Sequence, residues 1–387
     1  MLHRLRFVGF ASVLASACAA ASQAPSQGNA LRNVDVTVVY PLPAAGQEDD
    51  LVKPTAAGTN GVLLPRDVFE QGRMPELDER APLGDEEERW SSLRVLAVRF
   101  DPCPRVVLPP AAGTICEPEI RLVFQSLRRE GTVVHARDGA IHGFYRLSQA
   151  QWAEVVGELR AIRAENATAP EVRLDVHPSL KGQGPRGAYG VRLASILSRY
   201  AGEKNLVRVT HFRRLRRAAA PIGDWTFAIR ERNAGGAWSD ATIATTSVKE
   251  ESLVTIVGGR WDADITPVPP AANDVTKVFK GQTADARENF RPVVRALNPR
   301  IHSSETIDCA SCHIAPDVAV FLEREQPVTS FDERFQSRYS LDAAHKSNEE
   351  AIGFEHMHML SYSGTSLSVS HRVANETAAV LELLNGS

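Results

Sequence analysis

Lysine is scarce in this chain. Only seven of its 44 basic residues are lysine (53, 181, 204, 249, 277, 280 and 346), and the rest are arginine. No lysine cluster is therefore available as a docking face. Charge of either sign is also lacking in bulk: the net charge is −3 and the isoelectric point about 6.4. That balance carries no polyanion signal, so nucleic acid is not an expected partner. After the first twenty or so residues no apolar run is long enough for a transmembrane helix. Residues 90–279 contain no GxGxxG, P-loop, HExxH or GxSxG motif, which leaves the dinucleotide, nucleotide, zinc-protease and serine-hydrolase classes without support. What remains is a chain of 387 residues, 43% hydrophobic and 24% charged. That is a globular composition, long enough for two or three domains.

The N-terminus is organised differently from the rest. His3, Arg4 and Arg6 precede an apolar run from Phe7 to Ala17, the length of a signal-peptide core and too short to span a bilayer. The small residues "ASACAAAS" follow. Cleavage after an A-x-A site would release a soluble exported protein. Alternatively "LASAC" resembles a bacterial lipobox, with Cys18 as the lipidated residue, although Ala15 rather than Leu14 stands three places before it. Both readings predict export to the periplasm or outer cell envelope. A lipid on Cys18 would be the one membrane attachment.

Four segments follow from composition and periodicity. Residues 1–22 are targeting sequence. Residues 23–90 read as an irregular Pro-, Ala- and acid-rich stretch with one strand, 33–40. Residues 91–280 read as a β-rich α+β domain of unassigned role. Its strands are expected at 93–100, 119–125, 131–136, 140–147, 205–212, 224–231 and 252–257, and its amphipathic helices at 148–165 and 188–205. Residues 281–387 read as helical. The expected fold class is thus multidomain: an α+β or β-rich N-terminal domain followed by a mainly α-helical C-terminal domain. Cys103 and Cys116 flank the Pro-rich loop between the first two strands of the β-rich part. A disulfide there would staple the mouth of the pair and stabilise it by roughly 3 kcal/mol. His135, His142, His177 and His211 are scattered and receive no role.

The sharpest motif is "IDCASCHIAPD", residues 307–317. Cys309, Cys312 and His313 form Cys-x-x-Cys-His, the attachment signature of c-type haem. Two thiols three apart on a helical turn reach the two vinyl groups, and the adjacent imidazole reaches the iron. On these residues, and on the helical ending that follows, residues 285–387 resemble a monohaem c-type cytochrome. The resemblance implies a cytochrome c-like helical fold and one covalent haem c per chain. It also implies His313 as the proximal ligand and a Met or His opposite it, in a loop ahead of the last helix. The run His356, Met357, His358, Met359 occupies such a loop and holds two of the four methionines of the chain. Met359 or Met357 is the expected distal ligand, with His358, His356 and His345 behind them. One departure is visible: Pro292 and Pro299 interrupt the stretch where that family places its first helix. This admits a second placement of the haem, between this region and the β-rich part.

Other readings of the cysteines stay open. Zinc could be held by Cys309, Cys312, His356 and His358, although H-x-H is not the usual spacing. A thioredoxin-like dithiol would need a strand before the motif, which "HSSETID" does not supply. A plain disulfide is the third. A single CxxCH excludes a multihaem wire and a dihaem peroxidase. The expected function is one-electron transfer through the haem of an exported protein, to a redox partner the sequence does not name. The alternatives are a haem enzyme or sensor with an open sixth position, and a cell-envelope binding or structural lipoprotein whose CxxC is a disulfide or zinc staple.

Overall fold

The computed structural model describes residues 30–72, 86–103, 117–168, 172–215, 222–256, 262–280, 286–325, 332–339 and 357–386. In chain order its strands are β1 (Thr37–Val39), β2 (Ala57–Gly58), β3 (Gly61–Val62), β4 (Leu93–Asp101), β5 (Glu119–Glu130), β6 (Val133–Ala136) and β7 (Ala140–Arg146). They continue as β8 (Leu206–Leu215), β9 (Ile222–Arg232), β10 (Trp238–Asp240), β11 (Glu250–Ile256), β12 (Ala263–Thr266), β13 (Leu360–Ser363) and β14 (Ser366–Val369). The helices are α1 (Asn33–Val36), α2 (Arg66–Gln71), α3 (Glu86–Ser91), α4 (Gln149–Glu165) and α5 (Pro178–Gln183). Then come α6 (Ala188–Tyr200), α7 (Lys277–Lys280), α8 (Ala286–Ala296), α9 (Cys309–Glu325) and α10 (His371–Asn385).

Ten strands join in one antiparallel sheet of order β1-β4-β5-β7-β8-β9-β11-β12, with β6 on β5 and β10 on β9. Residues directly opposite each other share a face. One row runs Arg99, Arg121, Phe144, Arg208 across β4, β5, β7 and β8. Two residues further along comes Val123, His142, Thr210. This face receives the C-terminal helices. α4 is built as the period predicts: Trp152, Val155, Val156, Leu159 and Ile162 are buried, and Ser148 caps it by accepting from Gln151 N at 3.2 Å.

The expected fold class is corrected by this sheet. The C-terminal region is not a mainly helical, cytochrome c-like domain. The hairpin β13–β14 stands between its last two long helices, and α9 is bonded directly to the sheet. Ala310 N donates to Glu251 Oε2 on β11 at 2.9 Å. α10 packs on α1, where the Thr37 and Thr377 hydroxyls meet at 2.8 Å. One continuous apolar cluster runs from Leu31 to Leu381. The hairpin had a signal: Leu360-Ser-Tyr-Ser and Ser-Leu-Ser-Val369 both alternate, and Gly364 takes the first turn position at φ +60°, which two-residue hairpin turns favour in glycine. α9 begins at Cys309, inside the motif, and so runs through Pro316. Pro316 is tolerated inside it but has no N–H for the Cys312 carbonyl. At the other end, Asp35 accepts from Arg32 N at 2.8 Å and turns 33–36 into α1, so β1 starts only at Thr37.

Gln125 ties the hairpin down. Its side chain donates to Tyr362 O and accepts from Tyr362 N, both at 2.8 Å, in a fully buried setting. Replacing Gln125 with Ala strands two buried backbone groups. Denaturant titration should show a loss of about 2–4 kcal/mol.

Candidate functional site

α9 is fixed at its first turn by two carboxyl groups. Asp308 precedes it and accepts from Ser311 N at 2.8 Å, an N-cap. Glu251 reaches in from β11 to the Ala310 amide. Burial first, then the charge of Asp308, push the Glu251 carboxyl up to about 9, against the pull of the amides it accepts from. The Glu251 carboxyl is protonated at neutral pH. The unfolded carboxyl ionises near 4.5. The stability this group contributes is therefore full below that pH and is lost as pH rises toward 9. Glu251→Gln keeps the hydrogen bonds without the titration. The variant should match the parent near pH 5 and exceed it increasingly up to pH 9, by at most about 1.4 kcal/mol per pH unit. Thermal or urea melts at both pH values check this.

Cys309, Cys312 and His313 stand at i, i+3 and i+4, hence on one face of α9. All three open into one cleft of about 1010 Å³, counting the space open to solvent at its mouth. The sheet face forms the opposite wall with Arg121, Val123, His142, Phe144, Arg208 and Thr210. α10 supplies Arg372, Val373 and Glu376, and the approach to β13 supplies Met359 and Leu360. Both thiols are free. Burial raises each of them, Cys312 to about 11 and Cys309 further, with Glu251 adding to the latter. They are protonated at neutral pH, unlike the thiolate of an exchange-active dithiol.

His313 is held for ligation. Its Nδ1 lies 2.7 Å from the Met357 carbonyl. A carbonyl only accepts, so Nδ1 carries the proton and Nε2 carries the lone pair. The ring packs against Phe212 and Phe227 at centroid distances of 5.2 and 5.0 Å. Burial lowers its pKa to about 4, so the imidazole is neutral.

The loop run separates by role. Met357 contributes its carbonyl to His313, and its side chain lies in the core. His358 turns away from the cleft. Its Nδ1 lies 2.7 Å from Ser361 Oγ and its Nε2 3.8 Å from Asp138. His358 and Arg214 hold the Asp138 carboxyl at about 2 against the opposing effect of burial. Met359 alone of these three reaches the cleft. His345 and His356 lie outside the described residues, as do Cys18 and the rest of the targeting segment. Cys103 sits at the cleft just past β4 and is disulfide-bonded. Cys116 lies outside the described residues. Among the described residues no group of three or more His, Cys, Asp or Glu is arranged to hold a metal ion.

Sequence reasoning missed the opposite wall. His142 was given no role, yet it faces the cleft. Burial first, then Arg121 and His313, keep its pKa well below the usual value, and it makes no hydrogen bond among the described residues. His302 lines the same cleft. The available signal was an arginine inside an otherwise largely apolar strand, as Arg121 in Arg121-Leu-Val-Phe-Gln125. Compared with known proteins, the chain matches no family model, no curated protein and no solved structure.

Proposed function

We propose that this chain is an exported monohaem c-type protein that passes single electrons, built on an antiparallel sheet. The observation that carries the reading is the convergence of the whole Cys-x-x-Cys-His motif on one cleft, with a neutral imidazole whose Nε2 is its free nitrogen. The donors of the cleft are those a c-type haem needs: two thiols for thioethers, one imidazole and one thioether sulfur.

A bound haem supplies a one-electron couple at its iron. The protein's own residues do the rest. Cys309 and Cys312 would tether the group. The Met357 carbonyl fixes the tautomer and orientation of His313, a second interaction that also raises its basicity. Phe212 and Phe227 exclude water around that ring. Met359 would be the second donor to a bound haem, and a methionine in that role would favour a higher potential than a second histidine. His358, spoken for by Ser361 and Asp138, is neither this donor nor a convenient zinc ligand. Export rests on the N-terminal charge and apolar run. Among the described residues no helix is long and apolar enough to cross a membrane.

The test is a visible spectrum of the full chain, expressed in a host that attaches haem. It is recorded oxidised and reduced, after denaturation and extraction. A c-type α-band that survives supports the proposal. A colourless chain from a competent host overturns it.

A further inference from the structure

Of the imidazoles that line the cleft, His313 has a task in the haem reading and His142 has none. His142 belongs to the wall opposite α9. Its place is set by register. It stands directly across from Val123 on β5 and Thr210 on β8, so the three side chains share one face of the sheet. Phe212 lies two residues beyond Thr210 on that face, a diagonal step of roughly 7–8 Å from His142. The same phenyl ring packs against His313 at 5.2 Å. The helix imidazole and the sheet imidazole are therefore neighbours of one ring, on opposite walls of one cleft.

This setting leaves the nitrogens of His142 to the cleft. A polar side chain inside a protein normally has a hydrogen-bond partner. Val123 cannot supply one, and His142 makes no hydrogen bond among the described residues. Its side chain is only partly buried and lines the cleft. Burial first, then the charge of Arg121, keep the imidazole neutral. A lone pair is thus available at neutral pH with no proton to shed first. His302 lines the same cleft but differs on this point. Its Nδ1 lies 3.1 Å from the Thr306 carbonyl, and its Nε2 is enclosed in protein. Neither nitrogen is offered to the cleft. His358 is held by Ser361 and Asp138.

We infer that His142 is a reserve axial donor, which takes the sixth position whenever the Met359 sulfur is absent from it. The inference rests on the haem reading, with Met359 as the resident donor. The exchange breaks one sulfur–iron bond and forms one nitrogen–iron bond; no electron and no proton is transferred. Its effect is to keep the sixth position filled. Small ligands such as cyanide then stay off the iron, and the chain remains an electron carrier.

The test uses the full chain from a haem-attaching host, unsubstituted and as Met359→Ala, His142→Ala and Met359→Ala/His142→Ala. The ferric spin state is read from absorption and electron paramagnetic resonance, and cyanide is titrated in. His142→Ala should keep the sulfur-to-iron band. Met359→Ala should lose that band and stay low-spin, with the resonance of two nitrogen donors. The double variant should turn high-spin. It should bind cyanide about tenfold or more tighter than Met359→Ala, because a filled position leaves only a fraction of the molecules competent to bind. Met359→Ala/His302→Ala should behave as Met359→Ala alone. If the double variant does not fold, Met359→Ala/His142→Gln replaces it, and a retained covalent α-band marks the folded, loaded chain. A high-spin Met359→Ala, or a double variant that stays low-spin, overturns the reserve donor and leaves the haem reading intact. So does loss of the parent's low-spin spectrum in His142→Ala, which would make His142 the resident donor, and so does a parent whose sixth position is already open. Absence of the covalent α-band from every chain removes the haem reading and this inference with it.

Discussion

Cys309→Ala/Cys312→Ala chains, made in a haem-attaching host, should carry no colour after denaturation and extraction, a complete loss against the unsubstituted protein. Each single variant should keep at most one thioether, with a shifted α-band from the vinyl left unreacted. The reason is positional. Cys309 and Cys312 are the two free cysteines among the described residues, and both open into the cleft that holds His313. Cys103, the other cysteine at that cleft, is disulfide-bonded. Full colour retained by the double variant would contradict this assignment. His313→Ala should keep the thioethers and lose the native low-spin spectrum, because it removes the imidazole beside the two thiols, whose tautomer the Met357 carbonyl fixes.

The second large effect concerns Met359. Met359→Ala should abolish the weak sulfur-to-iron band at the red end of the oxidised spectrum. It should also lower the reduction potential by on the order of 0.1 V or more. Met357→Leu should leave the band in place, because the Met357 contribution is a backbone carbonyl. His358→Ala should also leave the band in place, and instead cost stability by removing the Ser361 contact and one of the two partners of Asp138. If Met359→Ala changes nothing and His142→Ala does, the sheet supplies the sixth donor. If carbon monoxide or cyanide shifts the Soret band of the unsubstituted protein, the sixth position is open and the chain is a sensor or enzyme.

Much of the local structure was legible in the sequence. Period-two alternation located β4, β5, β7, β8, β9 and β11, because these strands are long and carry β-branched and aromatic residues. The period of 3.6 located α4 and α6. Three things were not legible, for different reasons. The β13–β14 hairpin was hidden because its polar half is serine, which reads as loop. The shared core of the C-terminal helices and the sheet was hidden because it depends on long-range packing, such as Glu251 against Ala310 and Thr37 against Thr377. The cleft's far wall was hidden because Arg121, His142 and Arg208 meet only through sheet register. The motif itself was legible at once, since Cys309, Cys312 and His313 are local and α9 keeps them on one face. Of the loop run, spacing offered four candidates. What separated Met357, His358 and Met359 was a carbonyl, an aspartate and a strand end, none of which the spacing encodes.

The most direct test of the central claim is the intact mass of the denatured chain from a haem-attaching host, with free thiols alkylated beforehand. One haem per chain, and no alkylation at Cys309 or Cys312, is the result the account predicts. A bare chain with both of those thiols alkylated would contradict it.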